Sequence, residues 1–80
     1  MFLDKSPRGA AFRIIRLNLS KETGKRLADM GFIEGVCGVV IRKSFLGGPM
    51  QARVMDYDVL IRRFEAHGIE IELCDQKEAS

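Results

Sequence analysis

Apolar residues in this chain recur at two spacings, and the switch between them lays out the fold. Phe12-Arg13-Ile14-Ile15-Arg16-Leu17 is rich in β-branched and aromatic residues and predicts a first strand. Thr23, Leu27 and Met30 then fall at i, i+4 and i+7, one stripe of a helix, with Lys21, Lys25, Arg26 and Asp29 off it. Ser20 suits the N-cap, because its hydroxyl can accept from a free N–H of the first turn. Glu22 meets the positive end of the helix dipole, and Gly31 is the expected left-handed stop. Glu22 and Arg26, at i and i+4, are expected to pair. Gly24 costs about 1 kcal/mol relative to alanine inside a helix, so a close neighbour is expected over it.

After Phe32 and a Glu34-Gly35 turn the period shortens. Val36 to Ser44 reads as a strand with Val39 and Ile41 on one face. Phe45-Leu46-Gly47-Gly48-Pro49 reads as a turn. Met50, Ala52 and Val54 alternate with Gln51 and Arg53 as the return strand of a hairpin. Asp56-Tyr57-Asp58 predicts a shorter turn, and Val59 and Ile61 then alternate with Leu60 and Arg62, leaving both faces partly apolar. Phe64 to Gly68 is a single helical turn. Ile69, Ile71 and Leu73, alternating with Glu70, Glu72 and Cys74, give the clearest half-buried strand. Five short strands and one helix of about three turns predict a mainly β protein. The expected form is a small five-stranded barrel with one α-helix inserted after the first strand, because closure removes exposed edges. Residues 1–11 read as an N-terminal segment, 12–74 as the barrel and 75–80 as a polar tail.

Length and composition narrow the classes. Eighty residues and 9.0 kDa make one domain, and 46% apolar residues suffice for a small core. No apolar run approaches the ~20 residues that cross a bilayer. Met1-Phe2-Leu3 is followed at once by Asp4, Lys5, Ser6 and Pro7, which is no secretory signal, so a cytoplasmic protein is expected. Cys37 and Cys74 are then expected as free thiols. A net charge of +2 argues against a dedicated nucleic-acid binder. Ten of the thirteen basic residues lie in Met1 to Met55, and seven of the eleven acidic ones in Asp56 to Ser80. Folding is expected to interleave the two sets.

Reactive chemistry finds little support. His67 stands alone in a short turn, and Glu65 and Asp58 form no acid–base pair. Gly47-Gly48-Pro49 lacks the Lys-Ser/Thr of a phosphate loop and precedes a strand. Glu70, Glu72 and Cys74 share one strand face, but no further arm converges on them and no paired-cysteine or paired-histidine spacing is present. No catalytic residue, cofactor or metal site is expected. Arg42, Lys43, Arg53, Arg62 and Arg63 lie on adjacent strand candidates without the aromatics that stack on bases. Protein contact is the class that remains. Leu27, Met30 and Phe32 are more apolar than one short helix on a barrel requires, and Phe45 and Leu46 are hard to bury at a turn tip. These five are the candidate partner-binding residues.

The run Leu27-Ala28-Asp29-Met30-Gly31-Phe32-Ile33-Glu34-Gly35, followed by the valine strand, resembles the signature of the ferrous-iron transport protein A (FeoA) family. Gly47-Gly48-Pro49 sits where that family has a Gly-Asp-Pro hairpin. Leu60-Ile61-Arg62-Arg63-Phe64-Glu65-Ala66 with Ile69-Glu70-Ile71 resembles its closing segment. The resemblance covers Phe12 to about Leu73. It implies an SH3-like barrel and a small cytosolic accessory of the membrane ferrous-iron transporter FeoB, without catalysis. The same module occurs in metal-dependent repressors of the DtxR type, so a metal-sensing module stands as the alternative, with a nucleic-acid-binding barrel as a further one. An apolar patch on a small barrel also serves association between copies. Two departures stand out: Glu34 in place of proline before Gly35, and Gly48 in place of the hairpin aspartate.

Overall fold

The computed structural model describes residues 1–74, so the expected tail 75–80 lies outside the described residues. In chain order the elements are β1 (Ala11–Leu17), α1 (Lys21–Asp29), β2 (Cys37–Lys43), β3 (Met50–Val54), β4 (Tyr57–Ile61), α2 (Arg63–Ala66) and β5 (Ile69–Cys74). The strands form one antiparallel five-stranded sheet in the order β4-β3-β2-β1-β5.

Two interruptions in the pairing give the sheet its shape. The β1–β5 register shifts between Ile14 and Arg16, and the β2–β3 register between Val40 and Arg42. An extra residue on one side bends the strand and increases its twist. Ile14, Val40, Ala52, Ile61 and Ile71, one from each strand, therefore converge in a single buried cluster. Gly38 and Val40 are the buried residues of β2, while Val39 and Ile41, expected on one face, share the opposite, half-buried one. Gly38 lets the strands come close. A Cβ there would stand 2.6 Å from the Arg53 carbonyl oxygen and 2.9 Å from the Phe12 ring. Gly24, by contrast, has nothing within 4 Å of a built Cβ, so no close neighbour explains it.

The turn between β3 and β4 is Met55-Asp56, both at positive φ, the two-residue form that suits strand twist. Tyr57 and Asp58 open β4 rather than belonging to the turn. Residues 1–11 are tied into the fold. Leu3 is buried in the core, the Ile71 N–H donates to the Met1 carbonyl at 2.7 Å, and Phe2 bridges to Glu70. Lys43 Nζ donates to the Asp4 and Ser6 carbonyls at 3.2 and 2.8 Å. The separated charges do interleave: Arg13 meets Glu72 and Arg16 meets Glu70 at 3.3 Å each, and Arg53 meets Asp58 at 2.6 Å.

Candidate functional site

The helix places its apolar residues by the way it ends. The Ser20 hydroxyl accepts from the Thr23 N–H at 3.2 Å and starts α1. At the far end Gly31 adopts φ 96°, its N–H donates to Ala28 at 3.0 Å, and the Phe32 N–H donates to Leu27 at 2.9 Å. This is a Schellman ending, which brings the residue after the glycine against the residue three positions inside the helix. Here those residues are Phe32 and Leu27, and both have 0% exposure. They are core side chains, unavailable to a partner; the Phe32 ring stacks on Phe12 with centroids 6.4 Å apart. Met30 is half-buried and packed on the core. The sequence expectation of a docking stripe on α1 is corrected accordingly: the apolar excess there serves the helix stop.

Phe45 and Leu46 behave in the opposite way. They form a 3-10 turn, Phe45–Gly47, and are fully exposed, at 95% and 103%. Leu46 sits at φ 57°, ψ 38°, the left-handed region. A non-glycine residue there costs about 1–2 kcal/mol. The turn is nonetheless held firmly at its base. The Ser44 N–H donates to Pro49 at 3.1 Å and the Gly48 N–H to Phe45 at 3.2 Å. Arg63, at the start of α2, reaches across to donate through Nε to the Gly48 carbonyl at 3.0 Å and through Nη2 to the Ser44 carbonyl at 2.8 Å. Gly48 fits this clasp, since a Cβ there would stand 2.8 Å from the Ser44 Cβ.

Two more exposed apolar side chains belong to the same corner. Leu60 points outward from β4, and Phe64 stands on the first turn of α2. Together with Pro49 they line a cleft of about 510 Å³ whose charged residues are Arg62 and Arg63. A second cleft, of about 580 Å³, lies on the α1 side of Leu60, Arg62 and Phe64, which thus wall both. Buried Glu65 fixes this wall: its Oε1 accepts from the Arg62 N–H at 3.1 Å, and its other oxygen takes the Arg26 guanidinium. Arg26 finds this partner rather than the expected Glu22. Leu60 and Phe64 were missing from the residues expected to touch a partner. For Leu60 the signal was its place on the outward register of β4, because a strand that alternates cleanly has no reason to place leucine there.

Further along the β3–β4 hairpin the charged side chains pair with one another. Asp58 accepts from Arg53 Nε and Nη2 and from Gln51 Nε2, at 2.6, 3.2 and 3.0 Å. The Arg53 hydrogen bonds hold the Asp58 carboxyl below the ordinary carboxylate range, and the same contact raises Arg53. Of the basic residues weighed for nucleic acid, Lys43, Arg53 and Arg63 are engaged inside the protein. Arg62 shows no carboxylate partner among the described residues. Glu70 and Glu72 face arginines, and Cys37 and Cys74 are not joined in a disulfide. His67 Nδ1 lies 3.1 Å from Asp4. Among the described residues no group of three or more metal-ligating side chains forms, and no helix is long and apolar enough to cross a membrane.

A curled five-stranded antiparallel sheet with one helix after its first strand, here with apolar side chains presented on a latched loop, is a small SH3-like fold. The chain belongs to the FeoA domain family, whose model matches residues 1–73 and which is linked to ferrous iron transport rather than to any known enzyme activity. Among curated proteins, it is 39% identical over 56 residues to a Fe(2+) transport protein A/Fe(2+) transporter FeoB fusion protein of Porphyromonas gingivalis. That match covers 70% of this chain and 7% of the fusion protein. Among solved structures, iron(II) transport protein A of Clostridium thermocellum shares 32% identity at a TM-score of 0.85, over 91% of this chain and 45% of that one. The FeoA protein of Chlorobium tepidum shares 25% at 0.88, over 94% and 71%. A Stenotrophomonas maltophilia FeoA, described as a prokaryotic SH3 domain protein, shares the fold at 20% identity and a TM-score of 0.75, over 98% and 93%.

Proposed function

We propose that this chain is an accessory of ferrous iron transport that works by docking its Phe45–Leu46 corner on the cytosolic part of a FeoB-type membrane transporter. The observation that carries this reading is the conformation of Leu46. A left-handed leucine with no burial to offset its cost is a local loss to folding. The Arg63 clasp that holds it is what a binding anchor needs, since a pre-organised side chain loses little entropy on docking. The Porphyromonas gingivalis relative supports the choice of partner. It joins both proteins in one polypeptide, and a covalent tether raises the local concentration of a weakly bound module.

Of the five residues first expected to touch a partner, Phe45 and Leu46 stay in this proposal, while Leu27 and Phe32 leave it because they are buried. Met30 leaves it on position. The Gly31 beside it abuts Met55 and Val54, at the opposite end of β3 from Met50, and hence away from Phe45. The test is capture of a purified FeoB cytosolic part by the wild-type chain and by Phe45→Asp. The expected result is at least a tenfold loss of affinity with an unchanged melting temperature. Equal capture by both would remove the corner from the interface.

A further inference from the structure

The sheet has two edges, and the described residues cover one of them. The outer edge of β5 is occupied by its own N-terminus, through the Ile71 N–H to Met1 bond at 2.7 Å and the Phe2–Glu70 bridge. On β4 the hairpin register pairs Val54 with Tyr57, Ala52 with Val59 and Met50 with Ile61. A two-residue turn makes the flanking pair a hydrogen-bonded one, and such pairs then alternate along the ladder. The N–H and C=O groups of Asp58 and Leu60 consequently point away from β3. Among the described residues neither has a backbone partner. An uncovered edge of this kind is a template for another strand.

The surroundings say what kind of strand fits. Leu60 is exposed between the two clefts, beside Phe64, which gives an apolar seat for one or two side chains. The cleft toward Pro49 carries two guanidiniums and no carboxylate. Arg63 is spent on backbone carbonyls, and Arg62 has no acidic partner among the described residues. We infer that the β4 edge receives an extended acidic-apolar segment of the partner as an added sixth strand. Its backbone would pair with Asp58 and Leu60, its apolar side chains would sit on Leu60 and Phe64, and its carboxylates would face Arg62. Strand addition takes its affinity from main-chain hydrogen bonds and its selectivity from alternate side chains, which matches an edge flanked by pockets. This rests on the proposed contact with a FeoB-type transporter and names how that contact is made.

The test uses the intact chain and the purified cytosolic part of a FeoB-type transporter, with two readouts. The first is amide exchange: the Asp58 and Leu60 N–H groups are expected to exchange at least tenfold more slowly in the complex, while the ladder amides of β4 stay unchanged. The second compares Leu60→Ala with Leu60→Pro. Proline removes an N–H that the native ladder does not use, and an edge strand accepts it. Leu60→Pro is expected to bind at least tenfold more weakly than Leu60→Ala, which lacks the side chain but keeps the donor. Capture without protection of these two amides would overturn strand addition and leave the transporter contact standing. No capture at all would overturn both. If Leu60→Pro fails to fold, the exchange measurement on the wild-type chain decides alone.

Discussion

The β5 side and the β4 side of this small barrel are finished in opposite ways. On the β5 side the first residues of the chain cap the sheet edge, bury Leu3, and are pinned by Lys43 to two carbonyls and by His67 to Asp4. On the β4 side the edge N–H groups of Asp58 and Leu60 have no backbone partner among the described residues, Leu60, Phe64, Phe45 and Leu46 are exposed, and Leu46 is held in an unfavourable backbone region. Both sides are apolar. What differs is whether the chain spends its own residues on covering them. In an 80-residue chain with so little core to spare, an exposed greasy corner held by an arginine clasp is the side that the proposed contact uses.

That contrast can be broken most forcefully at leucine. Leu3→Ala on the covered side is expected to cost about 2–5 kcal/mol, the range for emptying a buried leucine site. Denaturant unfolding monitored by circular dichroism measures it directly. A loss under about 0.5 kcal/mol would mean that the N-terminal segment is an ornament on the barrel rather than part of its core. The same residue type on the open side is expected to respond with the opposite sign. Leu46→Gly removes the left-handed strain, about 1–2 kcal/mol, and adds about 0.5–1 kcal/mol of unfolded-chain entropy. The net expectation is a gain of roughly 0.5 kcal/mol, a rise of ~2–4 °C in melting temperature for a domain of this size. Capture of the transporter should fall at the same time. A variant that is more stable and binds less well is the signature of a residue kept for function; a drop in melting temperature would show that Leu46 contributes to folding after all.

How far the sequence could see these two sides differs as well. The element order, the Ser20 cap, the Gly31 stop and the inward set of β3 followed from spacing and cap chemistry, which are local and leave a periodic trace. Phe45 and Leu46 were legible as exposed because a five-residue turn has nowhere to hide them. Leu27 and Phe32 misled because a Schellman stop and a docking stripe place apolar residues at the same positions, and burial alone tells them apart. The register shifts in the β1–β5 and β2–β3 ladders, the return of Leu3 to the core, and the reach of Arg63 to Ser44 and Gly48 depend on contacts between residues far apart in the chain. None of these leaves a local period. The charge asymmetry between the two parts of the chain was a truer guide: four arginines of the first part, Arg13, Arg16, Arg26 and Arg53, meet Glu72, Glu70, Glu65 and Asp58 of the second.

The smallest expected effect concerns how the open edge is held from within. Asp58 accepts from Arg53 and Gln51 of the neighbouring strand, on a residue whose backbone faces solvent. Hydrogen bonding from Arg53 lowers its folded carboxyl below the ordinary value of 3.8. A lowered folded value means that the charged form stabilises the native state. That contribution is complete above the unfolded value and fades as pH falls through the folded one. The wild-type chain should therefore melt slightly higher than Asp58→Asn at neutral pH. The gap should hold down to about pH 5 and close progressively below pH 4. Because the pair is exposed, about 0.5 M salt should narrow the gap at neutral pH too. Melting curves of the two proteins across pH 2–7 decide the matter. A gap that persists at the acidic end would mean that Asp58 contributes packing rather than charge to β4. The open edge would then be held by the β3 ladder and the Val59 and Ile61 side chains beneath it, with no electrostatic share.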